Sequence, residues 1–124
     1  MPLIILRGKL LKNIVNKGWG YEEILTNTPL YCAKILHINK DKQLSWHYHN
    51  LKDETFYIEN GEVSLFYAND DDIVHANIMR MKPGETFHVP VGLRHRLKAT
   101  ENSRVFEFST QHFDDDSIRV LPGD

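Results

Sequence analysis

Turn-forming residues break this chain at intervals too short for a long helix. Asn60-Gly61, the run 69–72 and Lys82-Pro83-Gly84 supply residues that reverse a backbone at low energy. The segments between the turns are strand-like, covering 21–25, 31–39, 43–49, 55–59, 62–67, 73–81, 85–89, 95–100 and 104–109. Many short strands separated by turns predict an all-β sandwich or barrel. Asn60-Gly61 predicts a tight two-residue hairpin. Residues 11–17 are assigned at most a short turn or 3₁₀ segment, and the sequence shows neither an internal repeat nor a linker.

Onto this frame the chain places chemistry at fixed spacing. His47 and His49 stand two apart, Glu54 follows after four further residues and Gly61 after six more. A second block runs Gly84, five residues, Pro90, Gly92 and then His95. Residues i and i+2 of a strand share a face, so His47 and His49 project together. Three neutral imidazoles and a carboxylate form a ligand set for one divalent transition metal: Mn, Fe, Ni, Co or Zn. Four protein ligands on a six-coordinate ion leave two positions open, whereas zinc could close the same set as a tetrahedral, structural site.

The two blocks resemble the paired motifs of the cupin superfamily, G-x5-H-x-H-x3-4-E-x6-G and G-x5-P-x-G-x2-H. Gly84, Pro90, Gly92 and His95 match the second throughout. The first matches from His47 to Gly61, with Asp41 in place of its leading glycine, a departure at a turn rather than at a ligand. The resemblance implies a jelly-roll (double-stranded β-helix) barrel with metal ligands His47, His49, Glu54 and His95. One domain, 1–124, is expected, with the barrel at about 19–110, an arm at 1–18 and a tail at 111–124.

A narrower resemblance marks both ends. Lys17-Gly18-Trp19-Gly20-Tyr21-Glu22-Glu23 and the closing Asp115-Asp116-Ser117-Ile118-Arg119 resemble segments of small mannose-6-phosphate isomerase-type cupins. That kinship implies a sugar or sugar-phosphate isomerase-like activity, with Lys34 and Arg119 handling substrate. The bifunctional isomerases of the group carry glutamine where this chain has His47, which separates it from their reaction. Two other classes stay open: a cupin dioxygenase, and a non-catalytic module that binds a sugar or metabolite through its metal.

Strand parity nominates the cavity residues. With Glu54 inward, Phe56 and Ile58 follow; with His47 and His49 inward, so do Gln43 and Ser45, which could orient a substrate. Lys34 shares a face with Cys32, Leu36 and Ile38, so it either snorkels to the barrel mouth or meets an anionic or hydroxylated ligand. Glu107 is the candidate general base if it faces inward; Phe106 and Phe108 could instead take the core and turn it to solvent. Arg94 and Arg96 could join Lys34 and Arg119 around a phosphate or simply decorate the rim. Trp46 is expected opposite His47, and Trp19 at one barrel end. His37, His75, His88 and His112 are read as structural or solvent-facing, and the aspartates at 70–72 and 114–116 as solvated turns.

Composition narrows the partners. A net charge of −2 and a pI near 6.4 give no electrostatic footprint for nucleic acid. The 3–6 run Leu-Ile-Ile-Leu is too short for a signal core or membrane span and is expected to pair with another subunit, giving a homodimer. The lone Cys32 can form no internal disulfide and suits a reducing cytoplasm.

Overall fold

The computed structural model describes residues 13–124 in full and, before them, the backbone strands β1 (Ile4–Leu6) and β2 (Lys9–Leu11), which pair antiparallel. Leu3, which opens the apolar run, lies outside the described residues. The strands that follow are β3 (Asn13–Lys17), β4 (Gly20–Asn27), β5 (Cys32–Ile38), β6 (Trp46–His49), β7 (Glu54–Asn60) and β8 (Val63–Ala68). The chain ends with β9 (Asn77–Met81), β10 (Thr86–Val89), β11 (Arg94–Ala99), β12 (Ser103–Ser109) and β13 (Ser117–Leu121). They build a six-stranded sheet in the order β10-β7-β12-β5-β4-β3 and a five-stranded sheet in the order β13-β6-β11-β8-β9. This is the all-β jelly-roll sandwich. No helix among the described residues is long and apolar enough to cross a membrane.

Period-two alternation directs the core. In β5, Cys32, Lys34, Leu36 and Ile38 are buried while Ala33, Ile35 and His37 are only partly so. Glu54, Phe56 and Ile58 of β7 repeat the pattern. Between the sheets, Leu36, Ile38, Phe56, Ile58, Leu65, Leu97 and Val105 pack with Trp19 into one cluster. The polar end of these rows becomes the site.

Four local expectations are corrected. Asn60-Gly61 is a corner rather than a hairpin: β7 pairs with β10 and β12, whereas β8 pairs with β9 and β11 in the other sheet. Gly61 takes φ +87° there, and a Cβ would collide with the Asn102 carbonyl and Ser103, so the passage between layers needs glycine. Asn13–Lys17 is a strand, paired along β4. The 73–81 segment divides into a 3₁₀ turn at Ile73–His75 and strand β9, because the Asp72 side chain accepts the Val74 N–H and caps the turn. The 114–116 run is not wholly solvated, since Asp116 is buried. Finally, Asp41 has φ +68°. It adopts the left-handed conformation natural to glycine, which aspartate tolerates better than most residues.

Candidate metal centre

Backbone pairing brings distant histidines to one spot. His95 of β11 stands directly opposite His47 of β6, so the two rings meet on the inner face with centroids 4.4 Å apart. The His49 ring lies 5.0 Å from His47 and 5.4 Å from His95. One ligand atom from each of the three falls within 4.8 Å of the others, all three side chains being buried. From β7, Glu54 extends Oε2 to 2.9 Å from His49 Nε2 and 3.8 Å from His95 Nε2.

Each ring is oriented from behind. His47 Nδ1 donates to the Ser45 carbonyl at 3.0 Å, His49 Nδ1 to the Asp116 carbonyl at 3.0 Å, and His95 Nδ1 to the Leu93 carbonyl at 2.8 Å. A carbonyl can only accept, so the proton sits on Nδ1 and the Nε2 lone pair points toward the centre. His49 Nε2, His95 Nε2 and Glu54 Oε2 are buried and make no hydrogen bond among the described residues. Buried polar atoms without partners are expensive, and here they converge. A divalent transition ion fits this donor set and would relieve all three.

Electrostatics agrees. Burial holds His47 well below the usual imidazole range, and the neighbouring His95 and His49 push it the same way. Burial likewise lowers His95 against the pull of Glu54. Both stay neutral, as ligands must. Burial and Glu107 push the Glu54 carboxyl upward, the Lys52 ammonium pulls it down, and its net direction is below the usual value.

The centre opens into a cavity of about 490 Å³ whose wall includes Trp19, Glu22, Lys34, Ser45, Glu107 and Arg119. Lys34 is 3% exposed and its ammonium lies 3.6 Å from Glu22 Oε1. Glu107 faces inward, yet it is clamped by Lys52 Nζ at 2.9 Å. Burial would raise its carboxyl, but Lys52 and Lys34 bring it down to about 2. Such a group is a fixed anion rather than a proton acceptor at neutral pH.

Other nominated residues stand elsewhere. Gln43 is outside the cavity wall, its backbone N–H donating to Asp124; the chain before Trp46 is not a regular strand, so parity from His47 does not carry back to it. Arg94 and Arg96 flank His95 on β11 and therefore point to the opposite face. Arg94 stacks over Tyr48 at 3.6 Å and pairs with Asp71 at 2.8 Å, while Arg96 donates to the Leu44 and Pro122 carbonyls. Trp46 is buried and donates to the Asp71 carbonyl. Three residues with no role expected at the site stand at or behind it, Lys52 without any sequence signal, His112 and Asp116 against the expectation of a structural or solvated position. Lys52 is buried beside Glu54 and Glu107. His112 reaches Lys52 Nζ at 3.2 Å. Asp116 accepts the backbone N–H groups of Asn50, Leu51 and Lys52.

A family model described as "Cupin domain" matches residues 34–109, more than half of the chain. No curated protein sequence matches it. Among solved structures, the capsular polysaccharide assembling protein CapF from Staphylococcus aureus superposes with a TM-score of 0.79 at 15% identity, over 90% of this chain and 35% of CapF. KdgF from Halomonas sp. gives 0.71 at 20% identity, over 83% and 91% of the respective chains. A single-substitution variant of oxalate decarboxylase from Bacillus subtilis gives 0.76 at 14% identity, over 87% of this chain and 30% of that one. At these identities the likeness is one of fold. The chain spans about a third of CapF.

Proposed function

Since this chain belongs to the cupin family, we propose that it is a metal-dependent isomerase of a sugar or sugar phosphate, with His47, His49, Glu54 and His95 as ligands. The observation that carries the metal reading is the convergence of buried Nε2 and Oε2 atoms that make no hydrogen bond among the described residues, with each imidazole oriented by a carbonyl behind it. A divalent ion bound there supplies a Lewis acid for adjacent carbonyl and hydroxyl oxygens.

The carbohydrate part of the reading rests on the wall of the cavity. Trp19 and Arg119, from the two terminal segments that resemble mannose-6-phosphate isomerase-type cupins, both line it. Lys34 and Arg119 supply cationic donors for hydroxyl or phosphate oxygens. Ser45, beside His47, offers a hydroxyl. Glu107, pinned by Lys52, serves as counter-ion and not as the base.

The test is to load the purified protein with one equivalent of Mn(II) or Zn(II) and follow interconversion of mannose 6-phosphate and fructose 6-phosphate, with oxygen uptake recorded in parallel. Metal-dependent interconversion without oxygen consumption is expected. Oxygen uptake on small enolic or thiol substrates instead would assign the site to dioxygenase chemistry.

A further inference from the structure

An alternating row of charges runs along the cavity wall into the metal centre. Glu22 Oε1 lies 3.6 Å from Lys34 Nζ. Lys34 and Glu107 are register partners on β5 and β12. Glu107 Oε2 is 2.9 Å from Lys52 Nζ, and Lys52 Nζ is 3.8 Å from Glu54 Oε2. That last oxygen is the one directed at His49 and His95. Lys52 is 3% exposed and Glu54 2%, so little water intervenes to screen the ammonium from the centre.

An ammonium 3.8 Å from the carboxylate oxygen that faces the histidines acts on the centre in two ways. It draws on the same oxygen a cation would use, and its charge repels that cation. A purely structural role would be served as well by apolar side chains at both positions, because replacing a buried ion pair with well-packed hydrophobic residues is often neutral or stabilising. Nor is the side chain needed to shape the loop. The Lys52 backbone N–H is held at 3.0 Å by Asp116 Oδ2, next to those of Asn50 and Leu51. The position of residue 52 is thus fixed by its main chain, leaving the ammonium free to serve the electrostatics of the site.

We propose that the Lys52 ammonium, balanced by Glu107, draws on the Glu54 oxygen and restrains the affinity of the centre for a divalent ion. The inference rests on the metal reading above. It explains why a charged pair is retained in the wall behind the ligands: Lys52 keeps the Glu54 oxygen a weak donor, so that a bound ion stays electrophilic, and Glu107 sets how strongly Lys52 acts.

The two partners therefore have opposite signs. Calorimetric titration with MnCl₂ and ZnCl₂ should find Lys52→Met binding about tenfold tighter than wild type and Glu107→Gln about tenfold weaker, in the range of effects for groups behind metal ligands. Lys52→Arg, which keeps the charge, should stay within about threefold of wild type by the same measure. Each single variant carries its own sign, so the test survives if one of them fails to fold by circular dichroism. Equal affinities throughout, or weaker binding by Lys52→Met, would overturn the proposal while leaving wild-type metal binding intact. A wild type that takes up neither metal would instead remove the metal reading, and this inference with it.

Discussion

Asp116 supports His49 twice over: its carbonyl accepts the ring Nδ1 proton at 3.0 Å, and its carboxylate gathers the N–H groups of the three residues that follow His49, namely Asn50, Leu51 and Lys52. One buried acid from the far end of the chain thus sets both the orientation of a ligand and the shape of the loop leading to the next.

Replacing Asp116 with alanine leaves three backbone N–H groups without their acceptor. Hydrogen bonds to a charged group carry more than neutral ones, and orphaned donors add to the loss, so a destabilisation of about 3 kcal/mol is expected. Urea unfolding would measure it, and an unchanged midpoint would contradict the role given to the carboxylate.

His49→Ala removes one of the three converging imidazoles. Metal content of the purified protein, measured by elemental analysis, should fall from about one equivalent to a small fraction of that. Retention of a full equivalent would place the ion elsewhere.

The Lys52–Glu107 pair makes stability depend on acid. Glu107 is drawn from an ordinary 4.5 to about 2, so between those values the unfolded chain binds more protons than the folded one. The contribution of the pair is complete above 4.5, declines as pH falls, and is gone below about 2. A series of urea midpoints across that window should fall steeply for wild type and less steeply for Glu107→Gln. Parallel curves would mean that Glu107 is not held as an anion.

Asp41→Gly tests the single departure from the first motif. At φ +68° a side chain is strained, and glycine relieves about 1 kcal/mol of it while giving some back as entropy in the unfolded chain. A rise in thermal midpoint of a few degrees is expected, with metal binding unaltered. A lower midpoint would show that the Asp41 side chain contributes more than its backbone angle costs.

Much of this was legible because strands with one buried face write themselves as alternation. β5 and β7 read directly, and the inward set Glu54, Phe56 and Ile58 followed from parity. The same rule, applied to β11, already excludes Arg94 and Arg96 from the face that His95 occupies; grouping them by charge obscured it. β3 and β13 alternate partly buried and exposed positions, with no fully buried residue to mark a core face, and so leave little trace in the sequence. Lys52 and Asp116 were illegible for a different reason. A lysine in a short loop and an aspartate in an acidic run look solvated, and only long-range packing shows that each is buried against partners dozens of residues away.

The central position of β12 has an evolutionary consequence. Pairing on both sides sets Glu107 between Lys34 of β5 and Phe56 of β7, and that row is aligned by main-chain ladders rather than by its side chains. The register therefore does not depend on the charges of Lys34 and Glu107, whereas Phe56 belongs to the packed core. A lineage can thus alter the charge at positions 34 and 107 while the strand order that carries them stays put.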